Sequence, residues 1–312
     1  MSPHRPAAAP THAARTRADP THAAPTRAAT TRADLFRSLG VLAEAPGPAH
    51  ARLAGVLGLP VPDPAEWTEA FVVQLVPHAS IYLGPEGMLG GETADRIAGF
   101  WRALRLPVPA EADHLTSLLG LYATLLEAER DEPAGPRRVL RQQARVALLH
   151  EHLLSWLLPY GHAMAEVGPP SYAGWAGLLR DTLLAEAGDA GAPDRLPAHL
   201  RAVPPLAGDP EHRDAILSGL LVPARSGLVL TRGHLAMAAR DGGLGLRLGD
   251  RRRMLRALVE QDPASSLAAI ADQAERWAAR HRDDEMAAGP AARHWAGRAS
   301  ATARLLHAGP AP

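Results

Sequence analysis

The side chains best equipped for chemistry are the 15 histidines, and the tightest group of them is His150-Glu151-His152. On a helix, residues two apart point about 200° from each other, so these imidazoles cannot chelate one ion, and the spacing is not that of a His-Glu-x-x-His helix. His152 follows Leu149 by three positions and precedes Trp156 by four, which reads as a histidine packed at the margin of the core rather than a metal ligand. No metal site is expected. The absence of Cys removes disulfides, thiolate zinc sites, iron–sulfur clusters and cysteine nucleophiles. Arg225-Ser226-Gly227 lacks the first glycine of a Gly-x-Ser-x-Gly elbow and the strand that should precede it. A P-loop needs Lys, and every basic residue here is Arg. Gly242-Gly243-Leu244-Gly245 reads as a helix stop and turn, not a phosphate cradle. With no catalytic constellation and no cofactor motif, the chain is expected not to be an enzyme.

Two further groups concern binding rather than turnover. Arg251-Arg252-Arg253, with Arg247 and Arg256 nearby, lies in a segment (230–259) that could form two helices around a glycine turn, vaguely like a helix-turn-helix. A DNA-binding regulator is therefore the alternative reading. Against it, Asp241, Asp250, Glu260 and Asp262 flank the run and the chain has no Asn, so a solvated helix face is expected and nucleic acid is not the expected partner. The second group is Glu111-Ala112-Asp113-His114-Leu115, acidic residues and an imidazole at the opening of the most strongly periodic helix. Asp113 is placed to N-cap that helix, and capping is compatible with a role in binding.

The elements that must position these groups are helices. The chain has 312 residues, 46% hydrophobic and 21% charged, with 33 basic side chains balancing 33 acidic ones. Apolar residues recur at helical spacing almost throughout, and strand alternation is nearly absent. Helices are expected at 34–45, 48–57, 63–76, 93–105, 113–126 and 137–158, the last ending near Pro159, and another carries Tyr172, Trp175, Leu179 and Leu183. After a Gly- and Pro-rich connection at 188–210, further helices are expected near 211–219, 231–241, 249–261, 263–281 and 291–307. Gly245–Leu248 is the one place where a strand or extended loop is allowed. Trp156 and Trp175 are expected in the core. The result is an all-α, bundle-like protein of about ten helices. Its expected divisions are an arm (1–33), a helical domain (34–187), the connection (188–210) and a helical C-terminal extension (211–308).

The arm differs in composition. It carries five arginines against Asp19 alone, a formal +4 that leaves −4 for the remainder, and its Pro-Thr-His-Ala-Ala segments repeat loosely. With almost no large apolar residue before Leu35 it is expected to be a disordered tail, and it lacks the apolar centre of a secretory signal. No apolar run approaches the ~20 residues of a membrane span. A cytoplasmic setting is expected.

Three pieces stand in a telling order: Phe71 through Gly84; the Glu111-Ala112-Asp113-His114-Leu115 turn; then His152-Leu153-Leu154-Ser155-Trp156, followed by the aromatic helix from Tyr172 to Leu184. This set resembles the TorD family (TorD, DmsD and NarJ-like proteins), chaperones that mature molybdenum oxidoreductases, over roughly residues 35–187. Ala112 stands where the motif usually has proline. The resemblance implies that the chain binds the twin-arginine signal peptide and apo form of the catalytic subunit of a molybdopterin oxidoreductase, and assists cofactor loading before export. Such a receptor needs an apolar groove and nearby carboxylates. Phe71, Leu75, Tyr82 and Trp101 are the candidates for the groove, and Glu111 and Asp113, with His114 beside them, for the polar rim. Glu127 is a further acid within reach. A monomer or a helix-swapped dimer is expected, since the 188–210 connection is long enough for exchange.

Overall fold

The computed structural model describes Met1 and residues 23–207 and 213–308. The arm expected to be disordered lies mostly outside these residues. The first helix, α1, runs Ala23–Leu42, starting eleven positions before the expected 34. It is followed by α2 (Pro48–Leu57), α3 (Pro64–Trp67), α4 (Ala79–Leu83), α5 (Gly91–Ala103), α6 (Leu115–Asp131), α7 (Pro136–Ala147), α8 (Leu154–Val167) and α9 (Pro170–Ala190). Then come α10 (Ala198–Ala202), α11 (Arg213–Leu220), α12 (Pro223–Ser226), α13 (Arg232–Asp241), α14 (Arg251–Gln261), α15 (Pro263–Asp283), α16 (Glu285–Ala288) and α17 (Pro290–His307). The protein is all-α, as its periodicity predicts. Short helices between the long ones raise the number above ten. Among the described residues there is no strand, only one isolated antiparallel bridge between His78 and His114. No described helix is long and apolar enough to cross a membrane.

The helix starts follow from the sequence. Asp63 accepts from the amides of Ala65 and Glu66 ahead of Pro64, and Asp262 accepts from the Ser265 amide ahead of Pro263. Asp250 does the same for Arg253 at the head of α14. Residues 245–248 form an extended loop without a strand, and Gln261 holds it by bonding both the amide and the carbonyl of Gly245.

Two departures from regular winding were not expected. Thr68–Gln74 after α3 and Leu148–Leu153 before α8 are π-helical, each ending in an amide that reaches back five residues, as Leu75 does to Ala70 (2.9 Å). His150 and His152, within the second departure, are both buried. Pro159 does not end its helix either. A proline cannot donate to the carbonyl four residues before it, so the carbonyl of Ser155 is left over. The indole of Trp295 donates to it at 3.0 Å, and α8 continues to Val167.

One continuous core runs through the described chain. Phe36 of α1 packs on Tyr122 of α6 with ring centroids 4.5 Å apart. Trp175 of α9 donates its indole N–H to the Leu39 carbonyl (3.0 Å) and meets Phe71 edge-on. Leu235, Leu255, Trp277 and Trp295, from α13, α14, α15 and α17, belong to the same cluster as Phe36, Tyr122, Trp156 and Trp175 from α1, α6, α8 and α9. Trp156, Trp175, Trp277 and Trp295 are all fully buried. Removing Glu186 should show how strongly one polar network holds α1, α6, α7 and α9 together. Its buried carboxylate accepts from Tyr122 Oη (2.7 Å) and faces Arg145 (3.4 Å) and Arg32 (3.3 Å). Glu186→Ala leaves the Tyr122 hydroxyl without its acceptor, while Arg145 keeps Glu129 and Arg32 keeps Asp189, and urea unfolding is expected to show a loss of about 1–2 kcal/mol. An unchanged midpoint would mean that water replaces the carboxylate at no cost.

Candidate functional site

The Glu111–His114 turn is built into the fold by a crossed pair of caps. Asp113 does not cap the helix that follows it. Its Oδ2 accepts from the amide of Ser80 (3.1 Å), in the first turn of α4, 33 positions earlier, and the side chain is 5% exposed. His114 is the residue that caps α6, its Nδ1 accepting from the Thr116 amide at 3.2 Å. The backbone bridge completes the join: Ala79 N–H donates to the Asp113 carbonyl (3.0 Å) and Leu115 N–H to the Pro77 carbonyl (2.9 Å). Through these bonds the start of α4 and the start of α6 become one rigid corner.

The chemistry left facing outward is different from the rim expected. With Asp113 committed inward, Glu111 is the exposed acid, its side chain 67% accessible and its Oε1 3.7 Å from His78 Nε2. The rings of His78 and His114 meet edge-on with centroids 4.8 Å apart. Burial, then the neighbouring His78, holds the His114 imidazole below its usual pKa, so it is neutral at neutral pH. Glu127 lies on α6, paired through both carboxylate oxygens with Arg37 of α1, so it is not free for a ligand.

The four apolar candidates do not form a groove together. Phe71 is 2% exposed because its ring is enclosed by Tyr172 and Trp175, at 4.8 and 5.7 Å. Leu75 and Tyr82 are also buried side chains. They floor a small cleft of about 190 Å³ whose other wall is Pro223, Val229, Arg232 and Arg251 from the C-terminal helices. The Tyr82 hydroxyl is turned to the Val76 carbonyl (2.9 Å), and burial drives the phenol pKa far up. Trp101 is half-buried on α5 and does not line that cleft. Most of the chain's few aromatics are in the core. Accessible apolar surface near the corner comes instead from Met88 and Leu89, 70% and 61% exposed, in the loop tied to α4 by Gly90 N–H donating to Ser80 Oγ (3.1 Å). The consecutive apolar pair inside a glycine-rich loop was the signal that could have found them.

The basic run of the alternative reading is split by the fold. Helices α13 and α14 do flank a glycine turn, but Arg251 folds inward and donates to the Leu230 carbonyl (2.9 Å), leaving Arg252 and Arg253 outside. Arg256 faces Asp214 at 3.4 Å.

The fold thus defines a helical protein with an ordered polar corner that joins α4 to α6. Residues 64–159 match the family model of the nitrate reductase delta subunit, and over that stretch the chain is similar to it. The matched stretch holds both π segments, the corner and the start of the helix of Trp156. No curated protein and no solved structure matches the chain.

Proposed function

We propose that the protein is a TorD-like chaperone of molybdoenzyme maturation that binds the apo catalytic subunit of a molybdopterin oxidoreductase through its twin-arginine signal peptide and delays export until the cofactor is loaded. The observation that carries this reading is the match over residues 64–159, because that stretch contains the whole corner. The activity is binding, performed in the cytoplasm by a monomer or a helix-swapped dimer, and no residue is assigned a catalytic role.

The geometry supports a division of labour. Glu111 is the carboxylate that meets a guanidinium of the peptide, Met88 and Leu89 offer apolar contact for the segment that follows the arginines, and Asp113 and His114 position the corner. Calorimetric titration of a synthetic twin-arginine peptide into the full chain tests this. An exposed ion pair contributes roughly 0.2–1 kcal/mol, so Glu111→Gln is expected to weaken binding up to about fivefold. Met88→Ser with Leu89→Ser is expected to weaken it further. Equal affinity in all three proteins would remove this face from the site, and no binding by the wild type would remove the signal peptide as ligand.

Asp113→Ala separates positioning from contact. It unties Ser80 and is expected to lower stability by about 1–2 kcal/mol, the scale of a lost cap with a buried amide left unpaired. Peptide affinity should fall only as the corner loosens, which a thermal melt run beside the titration will report.

A further inference from the structure

Two imidazoles and a carboxylate converge on the outer side of the corner. His78, Glu111 and His114 each present one ligating atom, and the three atoms lie within 4.8 Å of one another. We propose that they form a solvent-facing binding site for a divalent transition-metal ion of the Zn²⁺ class, with water completing the shell.

Several independent features favour a cation there. Two nitrogens and one oxygen are the donor set preferred by zinc, nickel and cobalt over magnesium or calcium. The backbone bridge between His78 and His114 fixes the spacing of the two imidazoles before any ion arrives. His78 Nδ1 is buried without a partner, and its Nε2 stands beyond hydrogen-bond reach of Glu111. The Glu111 and Asp113 carboxylates both lie close enough to act on the His114 imidazole. A second cluster, His162, His281 and Asp284, has the same donor types and similar spacing but a different setting. It is buried, and its carboxylate is already bonded by His162 Nε2 (2.7 Å) and by Arg180, whose positive charge opposes an ion.

Ion binding has a structural consequence. The lone pair on His114 Nδ1 holds the Thr116 amide. An ion on Nδ1 takes that lone pair directly. An ion on Nε2 needs the ring proton moved to Nδ1, where it blocks the amide. With either nitrogen, occupancy and the capped start of α6 are alternatives, which suits a reversibly bound ion. The inference stands apart from the chaperone reading, and its test uses no peptide.

Full-length protein stripped by chelator and titrated with Co²⁺ is expected to develop visible d–d absorption that Zn²⁺ abolishes. Glu111→Gln lies on an exposed turn, leaves the fold intact, and should raise the Co²⁺ Kd at least about tenfold. The double variant Glu111→Gln, His78→Gln should show no bands, whereas His281→Leu should titrate like wild type. Zn²⁺ should also speed deuterium exchange in the first turn of α6 in the wild type and not in the double variant. Absence of Co²⁺ bands in the wild type up to about 1 mM overturns the proposal. So do bands that survive the double variant or vanish with His281→Leu.

Discussion

Replacing Trp295 by alanine is expected to cost about 3–5 kcal/mol and to destabilise the whole described chain as one unit. The side chain is fully buried. Its loss opens a cavity between α17 and α8, and it also orphans the Ser155 carbonyl that Pro159 cannot serve. Trp295→Phe should recover most of the packing and none of the hydrogen bond, so about 1–2 kcal/mol of the loss should remain. Urea unfolding followed by both tryptophan fluorescence and far-ultraviolet dichroism distinguishes the outcomes. Coincident transitions shifted together mean that the C-terminal helices are part of one cooperative core. An early fluorescence transition with the dichroism midpoint unmoved would instead make the extension a separable domain.

Acid is expected to unfold the protein steeply between about pH 6 and 4. Burial holds His152 and His294 down to a pKa of about 4, and His199 and His281 down to about 3, all from a usual 6.5. The sign follows from which state takes up protons. Above pH 6.5 neither state is protonated and these groups leave stability unchanged. As the pH falls below 6.5 the unfolded imidazoles bind protons and the folded ones do not, so stability falls until the folded pKa values are reached. Each such group contributes about 1.4 kcal/mol per pH unit, and four acting together about 5 kcal/mol per unit, against a typical total of 5–15 kcal/mol. Urea midpoints measured at half-unit steps from pH 7.5 to 4.5 will trace the slope. His152→Leu, which keeps apolar contact with Phe100 at the site of a ring now 4.9 Å away, should flatten it by about one proton. A slope unchanged by that substitution would show that His152 is already charged in the folded protein.

Much of this was legible in the residues themselves. The all-α class, the Asp-Pro helix starts at 63 and 262 and the core tryptophans follow from spacing and capping chemistry, which act over a few residues. The Glu111–His114 turn was legible as a group with a purpose. What it does to the fold was not, because Asp113 serves an amide 33 positions away and a local rule assigns it to the nearest helix. The surroundings of Phe71, Leu75 and Tyr82 were hidden for a related reason. Apolar spacing identifies a face but not what covers it, and here the cover is supplied by α9 for Phe71 and partly by residues 223–251 for the other two. The continuation of α8 past Pro159 rests on an indole 140 positions after Ser155, which no local pattern encodes.

The widened turn at Leu148–Leu153 sets the phase of everything after it. A regular helix advances about 100° per residue. A turn bonded five residues back holds one residue more than an α-turn, so deleting one residue there would restore ordinary winding with Trp156, Pro159 and Tyr160 close to their present orientation. Rewinding the stretch at its full length would instead swing them by about 100° around the axis, and the proline's vacant carbonyl would point away from its indole. The additional residue and the widened turn that absorbs it are therefore kept or lost together.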